Sequence, residues 1–272
     1  MSGNHHLGFI GAGNMATALI RGLVESGLYQ REHLWAADKD KEALEKVRES
    51  FGIRCEPSNL KVTREASTLI LAVKPQNMRE ALEEIRGGIN YNHLLISIAA
   101  GIPLRMIRQV IGREIPLIRV MPNTPALVQK GISALAAGDL ATASHMAEAR
   151  EIFGAVGHTV VVEEVMMDAV TALSGSGPGY VFRMMECMVE AGAGVGLEKE
   201  TCLSLVVQTF LGAAHLARES DEPLSRLREK VTSPGGTTAA GLAVFDNMGL
   251  KEMTMKAVDA ACRRSVELGR DY

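Results

Sequence analysis

The chain has 272 residues, 47% of them hydrophobic and 22% charged, and carries a formal net charge of −3. That is the composition of a folded globular chain with room for one large or two moderate domains. The charge, the absence of any Lys/Arg run and an aromatic share of only 4% argue against a nucleic-acid partner, and no apolar run reaches membrane-spanning length; the longest, Cys202 to Ala217, is broken by Gln208 and His215.

The first strand is read at Leu7-Gly8-Phe9-Ile10, so near the start that no signal peptide is expected. Gly11-Ala12-Gly13-Asn14-Met15-Ala16 follows, a G-x-G-x-x-A turn. Ala18, Leu19, Gly22 and Leu23 then recur at helical spacing, and Gly27 stands where the helix stops. Gly11 permits the tight strand-to-helix turn. Gly13 lets a pyrophosphate approach the backbone, and Ala16 lets helix and strand pack closely. The free N–H groups and positive end of that helix face the phosphates. Alone, such a motif is also an ordinary glycine turn. Here a second strand, His33–Ala37, ends in Asp38 at the offset of a ribose-binding acid, which points to a dinucleotide.

Asp40–Ser50 reads as a solvated polar helix, Ile53–Cys55 as a short strand and Pro57-Ser58-Asn59 as a loop. Thr68–Val73 is a buried strand ending in Lys74-Pro75, where Pro75 can start a helix. Leu94–Ile98 is the next strand, followed by Ala99-Ala100-Gly101 and a helix over Pro103–Ile111. Ile115–Val120 leads into Met121-Pro122-Asn123-Thr124-Pro125. Ile132–Ala136 and Thr159–Val162 are weaker strands around a helix at Thr142–Phe153. The alternation predicts an α/β fold, a doubly wound, mostly parallel Rossmann-like sheet, over residues 1–163. Ligands on such sheets bind beyond the strands' carboxyl ends. The residues after each strand, from Gly11–Asn14 to Met121–Thr124, should therefore line one rim.

Strand-like runs vanish from Glu164 onward. Helices are predicted at Val165–Leu173, Pro178–Gly194, Lys199–Arg218, Pro223–Val231, Thr237–Asn247 and Lys251–Leu268, making residues 164–272 an all-helical domain. Small and apolar residues on every side of these helices favour at least a homodimer. Two glycine-rich breaks, Ser174-Gly175-Ser176-Gly177-Pro178 and Ser233-Pro234-Gly235-Gly236-Thr237-Thr238, open helices. As well as turning the chain, each gathers N–H donors and hydroxyls at a positive helix end, a ready site for a small carboxylate. Cys55, Cys187, Cys202 and Cys262 show no C-x-x-C spacing and read as reduced thiols of a cytoplasmic protein. His5-His6 reads as a solvated tail, and no ligand spacing suggests a metal site.

Thr232–Asp246 (TSPGGTTAAGLAVFD) resembles the signature of pyrroline-5-carboxylate reductases. The likeness extends to Phe9–Ala16, Ala72–Pro75, Ser97–Gly101, Met121–Ala126 and Leu173–Pro178, nearly the whole chain in order. The resemblance implies NAD(P)H-dependent reduction of 1-pyrroline-5-carboxylate to L-proline, a Rossmann domain, and a helical substrate-binding and dimerisation domain whose dimers often assemble into decamers. It places Thr238 at the ring nitrogen and the Gly235, Gly236, Thr237 and Thr238 amides at the carboxylate. Ser176, with Ser174 and Gly175, would close the pocket, and Glu164 would lie near the substrate. The Gly11–Met15 turn, Ala12 included, would hold the pyrophosphate and Asn59 the adenosine. Ala72, Val73, Lys74, Pro75, Ala99, Ala100 and Gly101 would run along the nicotinamide.

Two positions depart from many relatives. Gly179 stands where Ala is common, costing about 1 kcal/mol or less of helix stability. Asp38 stands where relatives preferring NADPH carry Ser, Thr or a basic residue. A carboxylate there accepts the ribose hydroxyl and repels a 2′-phosphate, so NADH is expected to serve at least as well as NADPH, with Lys39 as a counterweight. Three other readings stay open: a reductase of a related cyclic imine, a β-hydroxyacid dehydrogenase, and a nicotinamide-sensing binding protein. The dehydrogenase would need a lysine between Asp168 and Glu198, where Arg183 is the only basic residue; the sensor would not need the second glycine-rich constellation.

Overall fold

A computed structural model describes residues 6–270. Strand and helix alternate through β1 (Leu7–Ile10), α1 (Asn14–Glu25), β2 (Leu34–Ala37), α2 (Lys41–Phe51), β3 (Arg54–Glu56), α3 (Asn59–Glu65), β4 (Thr68–Leu71), α4 (Met78–Ile85), β5 (Leu94–Ser97), α5 (Leu104–Ile111), β6 (Leu117–Met121), β7 (Gly131–Ala137), α6 (Ala143–Gly154) and β8 (Gly157–Val161). Among the described residues these strands form one sheet in the order β3-β2-β1-β4-β5-β6-β7-β8. Every pairing is parallel except β6 with β7. The link between those two is a short turn holding a 3-10 segment, Thr124–Val128, too brief for the crossover that parallel pairing needs.

The strands alternate their side chains between two helix layers. Phe9, Ile70, Ile96 and Ile118 pack on one face with Leu19 and Ile20 of α1 and Phe153 of α6. Ile10, Leu69, Leu71, Leu95 and Leu117 pack on the other with Leu82 of α4 and Ile107 of α5. The continuous burial of β1, β2, β4 and β5 follows from this double cover.

Local chemistry explains the ends. The Asp40 carboxylate accepts from the Glu42 and Ala43 amides to start α2, and Gly52, at φ +66°, ends it. Asn59, expected in a loop, instead begins α3, because the Ser58 hydroxyl caps that helix through the Lys61 amide. The regular helix expected over Val165–Leu173 is three pieces: a 3-10 turn (Glu164–Met166), α7 (Met167–Val170) and a π turn (Thr171–Gly175). His6 is tied down rather than solvated, its Nδ1 lying 2.8 Å from the Glu65 carbonyl; His5 lies outside the described residues.

Helices α8 (Gly177–Gly194), α9 (Lys199–Glu219), α10 (Leu224–Lys230), α11 (Thr237–Asn247) and α12 (Leu250–Arg270) complete the chain. By packing it divides into two compact units. One runs to Ser176 and resumes at Ala261; the other is Gly177–Ala260. In the second unit Val189 of α8 packs on Cys202 and Val206 of α9. Leu203, Leu205, Leu211, Val244, Phe245 and Met253 stay exposed there.

Candidate functional site

The turn between β1 and α1 is pressed between neighbouring strand ends. Gly11 donates its N–H to the Ala37 carbonyl at 2.7 Å, and the Ala72 N–H reaches Ile10 O at 2.8 Å. Gly11 has φ +105°, and a Cβ there would stand 2.8 Å from the Ala72 carbonyl carbon and oxygen. Only glycine fits. Gly13 differs: its backbone is extended, and a Cβ would meet nothing within 4 Å. No side chain caps α1, and its first turn holds no carboxylate. The helix thus opens an uncapped positive end to space, which suits a pyrophosphate.

Asp38, just past the end of β2, is fixed by two backbone amides. Oδ2 accepts from the Ala12 N–H at 2.6 Å and Oδ1 from the Asp40 N–H at 2.9 Å. Lys39 turns instead to Glu80, at 2.6 Å. A cavity here is lined by Gly11, Asp38, Asn59, Val73 and Glu80. Asn59 is buried, and its amide group donates to Glu84 Oε2 at 2.9 Å.

The next strand ends continue the rim. Ala72 and Val73 are half-buried, Lys74 is exposed, and Pro75 opens a 3-10 turn. Ala99 is buried, and Gly101, at φ +74°, meets Leu268 of α12 so closely that a Cβ would lie 3.3 Å away. Beyond β6, Asn123 Oδ1 accepts from the Ile132 N–H at 3.0 Å and Nδ2 donates to Ser174 Oγ at 3.4 Å. Gly175 packs so tightly on the Met121 methyl that any Cβ would collide with it. The Ser176 N–H closes the π turn on the Thr171 carbonyl at 2.8 Å. Single π turns recur at functional sites, and this one brings Ser174 and Gly175 onto the ends of β6 and β7. Glu164 sits nearby, its Oε1 accepting from the Leu104 N–H at 2.7 Å.

The first unit therefore collects Gly11–Met15, Asp38, Asn59, Ala72–Pro75, Ala99–Gly101, Glu164 and Ser174–Ser176. Gly235–Thr238 stand in the second unit. There Gly235 has φ +69°, and the Gly236 N–H bonds the Ser233 carbonyl at 3.0 Å. Gly236 precedes α11, which no side chain caps and whose first turn is free of acids. Thr237 and Thr238 are exposed at this positive end, so amides and hydroxyls lie open to a carboxylate. Sequence reasoning missed Arg119 and Asp168, which ion-pair beside Glu164. Their one signal was an arginine inside the apolar run Leu117–Met121.

Residues 164–268 match the family model for pyrroline-5-carboxylate reductase dimerisation, and residues 6–101 match a model described as NADP oxidoreductase coenzyme F420-dependent. A pyrroline-5-carboxylate reductase of Methanosarcina acetivorans is 40% identical, over 98% of this chain and 99% of its own. The chain belongs to the pyrroline-5-carboxylate reductase family. The Arabidopsis thaliana reductase is also 40% identical, over 97% of this chain and 95% of its own. Among solved structures, a reductase of this family from Coxiella burnetii superposes with a TM-score of 0.93 at 35% identity, covering 98% of this chain and 99% of its own. One from Plasmodium falciparum, solved with NADP bound, gives 0.88 at 32% identity, covering 98% of each chain. The dimerisation model spans the helices that expose apolar side chains in the second unit, in keeping with a homo-oligomer. No helix among the described residues is long and apolar enough to cross a membrane.

Proposed function

We propose that the chain reduces 1-pyrroline-5-carboxylate to L-proline with NADH or NADPH, the last step of proline biosynthesis. What carries the reading is likeness to reductases of this name along the full length of both chains, taking in the nucleotide turn and the Ser233–Thr238 turn alike. Reduced nicotinamide, when bound, would supply the hydride that the imine carbon of a ring protonated on nitrogen accepts. The uncapped start of α1 holds the pyrophosphate, and Asp38 the adenosine ribose. The backbone of Ala72–Pro75 and Ala99–Gly101 lines the nicotinamide side. The Gly235, Thr237 and Thr238 amides grip the substrate carboxylate, the Gly236 N–H being engaged with the Ser233 carbonyl, and the Thr238 hydroxyl bonds the ring nitrogen. Ser176, Ser174, Gly175 and Glu164 shape the site around the ring. An imine that arrives protonated needs no strong acid, so the chain's task is placement at near-attack distance. We place the working enzyme in the cytoplasm as dimers assembled into decamers. Supplying NADH with both C4 hydrogens replaced by deuterium tests the reaction: proline carrying one deuterium at C5 supports it, and unlabelled or absent proline opposes it.

The fixed carboxylate of Asp38 also sets cofactor choice. Its oxygens are held by the Ala12 and Asp40 amides while Lys39 is held by Glu80, so a 2′-phosphate on a ribose bound there would meet its charge. NADH should therefore give a kcat/KM at least equal to that of NADPH. Asp38→Ser should move the ratio toward NADPH about tenfold, the worth of one like-charge contact of ~1.4 kcal/mol. Steady-state kinetics with both nucleotides reads this, and a wild type clearly preferring NADPH would contradict it.

A further inference from the structure

Arg119 lies within β6 and is only 6% exposed. A buried guanidinium is costly unless partners meet it. Two carboxylates do so: Nη1 is 3.7 Å from Glu164 Oε1 and Nη2 is 3.9 Å from Asp168 Oδ1. Burial pulls the arginine's pKa down while both acids push it up; arginine stays charged in either case.

Each acid has a second bond that leads elsewhere. Glu164 Oε1 accepts from the Leu104 N–H, at the start of α5 and just past Gly101. Asp168 Oδ1 accepts from Ser265 Oγ of α12 at 2.6 Å. One turn further on, Leu268 and Gly269 pack on Gly101. Arg119, Glu164, Asp168, Gly101 and Gly269 line an open cavity of about 490 Å³ to which Arg105 and Arg270 also contribute. Through these two acids one guanidinium links the start of α5, the end of α12 and the segment that begins at Glu164. That segment has no continuous helical ladder of its own, passing from 3-10 to α to π before it reaches Ser174. Glu164 and Asp168 both reach the Arg119 guanidinium, so both are held from one point.

We propose that Arg119 is a positioning residue for imine reduction: by holding Glu164 and Asp168 it sets where the Ser174–Ser176 turn stands against the ends of β6 and β7. The proposal rests on the reaction assigned above. Arg119 acts through its two acids, and the nucleotide turn at the ends of β1 and β2 does not depend on it.

Arg119→Met keeps length and removes both pairings; Arg119→Lys keeps the charge on a single head that cannot bridge both acids. For the methionine variant we expect kcat/KM for the imine to fall at least about tenfold, as displacement of positioning groups does. The nucleotide Kd should stay within about threefold, an energy well under 1 kcal/mol. The lysine variant should fall between. Hydrogen exchange should quicken at the amides of residues 164–176 relative to those of β1 and α1. A merely structural arginine would instead lower the melting temperature and weaken imine and nucleotide binding together, and that result overturns the proposal. Unchanged exchange over 164–176 overturns it too. Should the methionine variant not fold, the lysine variant is judged by the same criteria. A wild type inert toward the imine would overturn the assigned reaction, and exchange would still decide whether Arg119 holds the segment.

Discussion

Thr238→Ala should lower kcat/KM for pyrroline-5-carboxylate about 10- to 150-fold, the loss of one hydrogen bond to a charged group worth about 1.5–3 kcal/mol. Thr238 is exposed at the positive end of α11, two residues after a glycine whose backbone turns to meet Ser233. Its hydroxyl has no capping task, because no side chain caps that helix. Removing it should leave the fold nearly untouched, with a stability change within about 0.5 kcal/mol. Thr238→Ser retains the hydroxyl and should keep most activity. The Kd for nicotinamide nucleotide should be unchanged in both, since the nucleotide turn belongs to the other compact unit. Steady-state kinetics with melting curves and nucleotide titration read all of this. Full activity in the alanine variant would remove Thr238 from the reaction.

Gly13→Val should weaken nucleotide binding at least about 100-fold, roughly 2.8 kcal/mol. The backbone at Gly13 is extended, with φ −72° and ψ −174°, a conformation valine adopts readily. A Cβ there touches nothing in the protein, so the variant should fold, losing at most about 1 kcal/mol for a poorer N-cap. The added methyls would fill the space in front of the α1 amides, where two charge-assisted hydrogen bonds to pyrophosphate would be lost at about 1.5–3 kcal/mol each. Gly11→Ala is the contrast. It forces a side chain onto φ +105° and into the Ala72 carbonyl, so it should lose folding stability and binding alike. Isothermal titration with NADH beside thermal melts separates the two. Binding retained by the valine variant would place the pyrophosphate elsewhere.

Much of this was legible in the sequence because the parallel sheet writes itself in apolar runs. Thr68–Leu71 and Leu94–Ser97 are buried on both faces and could be little else. The G-x-G-x-x-A turn reads from residue type alone, because each small residue answers a backbone constraint visible at Gly11 and Gly13. The elements that escaped are those made by tertiary contact. α3 rests on a cap from Ser58 and on burial of Val62 and Thr63, in a stretch too short and polar to show a period. The π turn at Thr171–Gly175 lies where Gly175 packs against Met121 at the end of β6, a contact between residues far apart in the sequence that leaves no local trace. Arg119 and Asp168 meet by the same long-range route. The antiparallel β7 depended on the brevity of the loop after Met121, which periodicity does not weigh. Asp38 was placed by its offset, but only the structure shows both of its oxygens held by backbone amides and Lys39 drawn off to Glu80.

The most direct measurement is the oxidation of NADH and of NADPH by the purified chain with 1-pyrroline-5-carboxylate, with proline quantified in the same samples. One proline should form per nucleotide oxidised, with NADH at least as effective as NADPH. A folded protein that binds nucleotide yet forms no proline with either would contradict it, and would direct attention to a larger cyclic imine or to nicotinamide sensing.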